Sequence, residues 1–288
     1  MSNKKCYLCD STRLINRKGS VRDNSVLDIL ECIECGLVFL SDFSHINDKH
    51  YENSGMHDGM SPEVDSWLKE TEFDDERRFQ FLRSKITNKS VIDFGCGAGG
   101  FIKKSKNVSS RISGIELEQA MQASYKEREL DVYNCIDAAL ADAKKWDFVT
   151  AFHVVEHLPD PISVLRDLSK LLAVNGEIII EVPNSDDALL TLYQNESFQN
   201  FTYWSQHLFL FNVHTLNKTL KQAGLNVSWV RQVQRYPLSN HLYWLSQSKA
   251  GGHKAWSFLD NEILNTLYEK QLASIGKCDT IIAGAIPG

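Results

Sequence analysis

The chain has 288 residues, 43% of them hydrophobic, and a formal net charge of −6. That length suits one large domain plus a small module, with enough apolar content for a buried core. The acid excess argues against a general nucleic-acid binder, and no apolar run nears the ~20 residues that span a bilayer.

The N-terminus, MSNKKCYLCD, is polar and lacks the apolar core of a signal peptide, which points to the cytoplasm. In that compartment the seven cysteines read as metal ligands and free thiols, not disulfides. Four fall in two Cys-x-x-Cys pairs, Cys6 with Cys9 and Cys32 with Cys35. Each pair forms a knuckle, and two knuckles complete a tetrahedral S₄ site, the pattern of a structural zinc. Residues 1–45 are therefore expected to be a zinc-binding module. Residues 46–62 are polar and irregular, and read as a linker or an active-site flap carrying Tyr51. From Glu63 to Ile86 the spacing turns helical, with an apolar stripe of Trp67, Leu68, Phe73, Phe79, Phe81, Leu82 and Ile86. Within it, the run EFDDERR reads as a solvated helix face.

An α/β alternation follows. Strands are expected at 90–94, 111–116, 131–136, 146–152 and 177–182, with helices at 98–106, 118–128, 137–144 and 161–172 between them. Such alternation implies a parallel sheet with helices on both faces. Pro161 marks the start of the last of these helices and Asn175-Gly176 its end. Two aromatic-rich insertions, 183–213 and 236–277, flank a further helix at 214–223 and a strand at 225–233. The chain closes on the strand DTIIAGAIPG.

The stretch VIDFGCGAGGF, Val91 to Phe101, is a strand, a glycine turn and a helix start, which together make a cofactor corner. Gly95, Gly97 and Gly100 fit the dinucleotide spacing G-x-G-x-x-G, while Gly95, Gly97 and Gly99 fit the S-adenosylmethionine spacing G-x-G-x-G. Asp93 favours the second, because an acid there faces a cationic ligand. Glu116, closing the next strand, suits the two hydroxyls of a ribose in either case. An NAD-dependent dehydrogenase remains as a distant alternative.

The motifs DFGCGAGGF, GIELE, WDFVTAFHVVEHLPDP and IIIEVPN, with the closing strand, resemble a class I S-adenosylmethionine-dependent methyltransferase over residues 63–288. The resemblance implies a Rossmann-like α/β fold with a seven-stranded sheet, its last strand antiparallel and inserted between its neighbours. It implies that Asp93, Gly95, Gly97 and Gly99 line the methionine end of the cofactor. Glu116 would hold the ribose, Leu117 and Asp137 would meet the adenine, and Phe152 and His153 would border the cofactor. With the CxxCGLVF end of its four-cysteine module, the chain also resembles sugar and polysaccharide-cluster methyltransferases related to the deoxysugar C-methyltransferases. In those C-methyltransferases a Glu-His pair before an FLF segment carries the base. This sequence has Gln206-His207 there, and it closes on its seventh strand where they continue into a further domain. Both departures favour a hydroxyl over the carbon of a keto sugar.

The expected reaction is thus methyl transfer to a small molecule, most readily a sugar or nucleotide-sugar hydroxyl. C-methylation of a keto sugar and O-methylation of a quinone or phenol are the alternatives. A hydroxyl nucleophile needs a base, and histidine suits that at neutral pH. The candidates are His207, His157 and His241, with Tyr51 in support. The oligomeric state is open.

Overall fold

A computed structural model describes residues 4–46, 50–53, 60 and 63–288. The expected linker or flap over 46–62 lies partly outside these residues. The chain begins with three short strands, β1 (Leu14–Asn16), β2 (Ile29–Cys32) and β3 (Val38–Leu40). A long helix, α1 (Val64–Ile86), leads into the alternating region. That region runs β4 (Ser90–Phe94), α2 (Gly100–Ser105), β5 (Arg111–Ile115), α3 (Gln122–Glu127), β6 (Val132–Tyr133), α4 (Ile136–Ala141), β7 (Trp146–Phe152), α5 (Pro161–Ser169) and β8 (Leu172–Pro183). The first insertion holds α6 (Ala188–Thr191), α7 (Glu196–Thr202) and β9 (Phe209–Leu210). Then come α8 (Val213–Gln222), β10 (Leu225–Val233), the second insertion with α9 (Leu238–Gln247), α10 (Gly252–Ala255) and α11 (Glu262–Ser274), and β11 (Thr280–Pro287).

The main sheet has seven strands in the order β10-β11-β8-β7-β4-β5-β6. The pairs among β6, β5, β4, β7 and β8 are parallel, and β11 runs antiparallel to both β8 and β10. This is the expected architecture. Several boundaries differ from the sequence reading: β6 is two residues long where a strand over 131–136 was expected, and α3 and α4 are shorter than expected. Helix α5 stops at Ser169, and β8 takes in Asn175-Gly176, because the backbone at Leu171 already accepts from Trp146 in the neighbouring strand. No helix among the described residues is long and apolar enough to cross a membrane.

A second sheet of order β1-β2-β3-β9 takes its last strand from the first insertion, with Phe39 opposite Phe209. Its apolar residues Leu37, Val38 and Phe39 are continuous with the core beneath the large sheet, where Trp146, Leu165, Ile178 and Leu216 are buried.

Period-two alternation along β8 sets the two faces of the large sheet. Ile178, Ile180 and Val182 join the core under α5 and α8. Glu177, Ile179 and Glu181 point the other way, toward α1. There α1 packs Leu82 and Ile86 against Val91, Ile179 and Ile282. It also delivers charge. The fully buried Glu181 carboxylate accepts from Arg77 Nη2 at 2.9 Å, from Arg78 Nε at 3.0 Å and from Arg78 Nη2 at 2.8 Å. The expectation of a solvated EFDDERR face is therefore overturned. Asp75 and Arg78 are buried, Asp74 and Arg77 half-buried, and it is Phe73, placed on the apolar stripe by its spacing, that is 66% exposed. A carboxylate in the middle of a core strand must be paired, and α1 supplies the cations.

Removing one side of this cluster strands charge in the core. Glu181→Ala is expected to cost about 3–5 kcal/mol in urea unfolding, whereas Lys85→Ala, which breaks a half-exposed pair with Glu177, is expected to cost under about 1 kcal/mol.

Candidate active site

A cavity of about 850 Å³ opens at the C-terminal ends of β4, β5 and β7, where ligands bind in open α/β sheets. Its floor is the glycine corner. Gly95 and Gly97 have φ of +69° and +51°, a region that side chains avoid. A Cβ at Gly97 would lie 2.8 Å from the Trp67 ring, and one at Gly95 2.5 Å from Val154. The turn is closed by Glu116, whose carboxylate accepts from the Gly97 amide at 2.9 Å and the Glu118 amide at 3.1 Å. Burial raises the pKa of Glu116, and those amides oppose the shift. Asp93 is buried beside it and accepts from Thr150 Oγ1 at 2.6 Å. Burial pushes its carboxyl up to about 7, against the pull of the Thr150 hydroxyl and Arg78.

The helix α1 forms one wall, with Trp67, Thr71, Asp74, Asp75 and Arg78 on the cavity. Trp204 of the first insertion and Arg235 and Tyr236, which follow β10, also line the cavity. Both lining arginines are engaged: Arg78 with Glu181, and Arg235 with Asp74, its Nε 3.0 Å from Oδ1. The Asp74 carboxyl is held well below its usual range by Arg235, Arg78 and Arg77, which outweigh its burial. The backbone amides of Arg235 and Tyr236 donate to Asp279 at 3.0 and 3.1 Å, which fixes the start of the second insertion.

His153 closes β7 in a left-handed conformation, φ +54°, unusual for a residue with a side chain. Its Nδ1 lies 3.1 Å from Glu156 Oε1 and its Nε2 3.2 Å from Glu181 Oε1. Four residues on, His157 lines the cavity, and its Nδ1 is 2.8 Å from the Gln206 carbonyl. A carbonyl only accepts, so Nδ1 carries the proton; in the neutral ring Nε2 has the lone pair, with no partner among the described residues. Tyr51 also lines the cavity and donates to the His157 carbonyl at 2.7 Å.

Of the sequence-derived positions, Asp93, Gly95, Gly97, Glu116, Leu117, Phe152 and His153 lie on the cavity wall, as do His157 and Tyr51. Gly99 takes φ +77° just before α2, with a Cβ there 2.7 Å from Leu130. His207 is half-buried against the ring of His157, centroids 4.8 Å apart, and is not on the wall. Burial, reinforced by His157, pushes it down to about 3. Glu156, His157 and His207 bring one donor atom each within 4.8 Å of one another.

Gly99 and His207 thus lie beside the wall, not on it, and two further positions fall elsewhere. Asp137 is exposed in the first turn of α4, because β6 is two residues long at the sheet edge and the chain turns into the helix at Ile136. His241 is buried in the second insertion, its Nδ1 2.7 Å from Tyr268 Oη and its Nε2 3.1 Å from Gln234 Nε2, away from the cavity. Sequence reasoning missed Asp74, Asp75, Arg78, Trp204 and Arg235. The signal available was the acid inside IIIEV, which required arginine partners from another element.

In the N-terminal sheet, Cys6 Sγ lies 3.5 Å from Cys35 Sγ, and Cys9 Sγ 3.5 Å from Cys32 Sγ, with all four sulfurs within 4.8 Å of one another. A tetrahedron of sulfurs around zinc at about 2.3 Å has edges of about 3.8 Å, so the donor set fits that ion and not a pair of disulfides.

Residues 66–228, more than half of the chain, match a family model described as a methyltransferase domain. The chain belongs to this methyltransferase family. It is an S-adenosylmethionine-dependent methyltransferase, and the nicotinamide reading falls away with that match. The methyltransferase is 24% identical over 185 residues to a ubiquinone biosynthesis O-methyltransferase of Hydrogenovibrio crunogenus, covering 57% of this chain and 77% of that one. With the enzyme of the same name from Pseudomonas aeruginosa it shares 23% over 206 residues, 67% and 83% of the two chains. Among solved structures, an S-adenosylmethionine-dependent methyltransferase from Archaeoglobus fulgidus matches its fold with a TM-score of 0.51 at 21% identity, over 76% of this chain and 98% of that one. The methyltransferase from the Haloferax volcanii complex with the activator Trm112 matches with 0.52 at 13%, over 79% and 99%.

The raised pKa of Asp93 makes a pH dependence testable. A carboxyl whose folded pKa of about 7 exceeds its unfolded value of about 3.9 binds its proton more tightly when folded. Its contribution is greatest below pH 4 and is lost as pH rises to about 7. The change is up to about 4 kcal/mol. Asp93→Asn is expected to flatten the fall in unfolding free energy between pH 4 and pH 7, measured by urea titration at each pH.

Proposed function

We propose that this methyltransferase transfers a methyl group to a hydroxyl of an uncharged small molecule, a sugar first, with His157 as the base. The observation that carries the reading is the His157 side chain on the cavity wall, its Nδ1 on the Gln206 carbonyl and its Nε2 without a partner among the described residues. Burial lowers the pKa of His157, opposed by Glu156, so the ring is neutral and ready to take a proton.

The residues of the glycine corner fit the cofactor. Gly95 and Gly97 leave backbone open where a Cβ would intrude, and Asp93 and Glu116 offer carboxylates to a cationic amino acid end and a ribose. When bound, S-adenosylmethionine supplies an already activated methyl group on a sulfonium, so the protein's part is alignment and proton removal. Phe152 and His153 close the cavity over β7, Tyr51 buttresses the His157 backbone, and Nε2 of His157 receives the hydroxyl proton.

Charge narrows the acceptor. Carboxylates from α1 and the strand ends dominate the described wall, and both lining arginines are paired. A diphosphate inside the cavity would meet acids and, among the described residues, no unpaired guanidinium. That favours an uncharged sugar face over a nucleotide diphosphate at this depth. The walls of Trp67, Trp204 and Tyr236 suit a sugar ring or a phenol. The phenolic reading is the second one, favoured by the ubiquinone O-methyltransferase relatives.

We also propose that residues 1–45, closed by β9, are a zinc-binding module, with zinc held by Cys6, Cys9, Cys32 and Cys35. The sulfur spacing supports this, and a donor set made of four thiolates suits a structural site.

Incubation with methyl-labelled S-adenosylmethionine and a panel of free sugars, nucleotide sugars and catechols tests the acceptor. Transfer to catechols and to no sugar would replace the first reading by the second. His157→Ala is expected to lower turnover by about 10²–10⁴ with cofactor affinity retained. Elemental analysis is expected to find about one zinc per chain, and Cys32→Ser to lower both zinc content and the melting temperature.

A further inference from the structure

The segment that presents Gln206 to His157 is held in several places by the N-terminal module, while the Gln206 side chain meets His50 at 3.3 Å. Ser205 is the point of contact. Its amide donates to Asp23 Oδ1 at 2.9 Å, and its hydroxyl donates to Asp23 Oδ2 at 2.6 Å. Its carbonyl lies 2.6 Å from His45 Nε2, which must therefore carry a proton and donate. Every polar group of Ser205 is thus gripped by two side chains of residues 1–45. On either side, the Arg22 amide donates to the Tyr203 carbonyl at 2.9 Å, and the Leu40 amide donates to the Leu208 carbonyl at 3.0 Å. The next peptide after the clamped Ser205 carbonyl bears the Gln206 carbonyl, 2.8 Å from His157 Nδ1.

We propose that Asp23 and His45 are positioning residues for the transfer step: by clamping Ser205 they set the Gln206 carbonyl that selects the His157 tautomer with Nε2 unprotonated. This rests on the reading of His157 as the base. The physical reason is geometric. An imidazole with one nitrogen on a fixed acceptor is locked in a single tautomer and ring orientation, whereas a carbonyl free to swing leaves both tautomers populated. The clamp is outside the cavity, since neither Asp23 nor His45 lines it, and it reaches the base only through Ser205 and Gln206. The N-terminal module then acts on catalysis through orientation and not through contact with the acceptor.

The test reads the tautomer directly and needs no acceptor. Full-length protein labelled with ¹⁵N-histidine is examined by long-range proton–nitrogen correlation, the His157 signals being assigned by their loss in His157→Gln. The wild type is expected to show His157 with the proton on Nδ1 alone. The double variant Asp23→Ala/His45→Ala is expected to show the Nε2-protonated tautomer at about a tenth of the population or more. Asp23→Asn/His45→Gln retains groups able to hold Ser205 and is expected to restore the wild-type pattern. Affinity for S-adenosylmethionine, by calorimetry, is expected to stay within about twofold in all of them. If the double alanine variant does not fold, the two single alanine variants decide in the same way. An unchanged tautomer, or a parallel collapse of cofactor affinity, overturns the clamp. With a methylated acceptor in hand the two levels separate. A wild-type rate in His157→Ala overturns the base assignment and with it the role of the clamp. An inactive His157→Ala beside an unchanged tautomer overturns the clamp alone.

Discussion

The buried Glu181 carboxylate is the constraint on which the cavity depends. It sits in the middle of the sheet, on β8, with its side chain wholly out of water. A charge in that place is tolerable only if donors surround it. Arg77 and Arg78 come from α1, and His153 comes from the end of β7. Meeting the needs of one oxygen pair therefore fixes the rotation of a 23-residue helix and the exit of a central strand. Once α1 is locked in that rotation, Trp67, Thr71 and Asp74 have no choice but to face the glycine corner. Asp74 then holds Arg235, so the second insertion is tied to the same post.

Much of the large sheet was readable in advance. The strand and helix alternation and the glycine corner depend on local signals, namely apolar runs, turn glycines and acids at strand ends, whereas the antiparallel β11 was implied by the family resemblance alone. Asp93, Glu116 and His153 come together on one cavity because the C-terminal ends of parallel strands converge by topology alone. What could not be read was long-range pairing of charge. EFDDERR looks the same whether it meets water or Glu181, and only the odd acid in IIIEV hinted at the second outcome. Asp137 and His241 illustrate the complementary case. Each has the right chemistry, but a two-residue edge strand turns one outward and a hydrogen-bonded contact with Tyr268 turns the other inward.

The histidines follow the same logic. Sequence placed His207, His157 and His241 in three different segments with similar claims. The fold separates them by place and by hydrogen-bond partner. His157 has one nitrogen on a carbonyl and a place on the wall, while His207 packs edge-on against it. Neighbouring rings and burial decide the protonation state of both, so the pair stays neutral without a direct carboxylate bond to either.

The pairing of β3 with β9 bears on how the chain acquires this structure. Phe39 cannot meet Phe209 until most of the chain has left the ribosome, so the small sheet is missing its edge throughout synthesis of the cofactor-binding strands. Contacts so far apart in sequence close late and slowly. The cysteine knuckles, by contrast, lie within the first stretch of chain and can gather early. The four-cysteine segment can therefore gather before the edge strand that completes its sheet has been made. Completion of the small sheet and placement of the segment 203–208 that it grips then come together, late in folding.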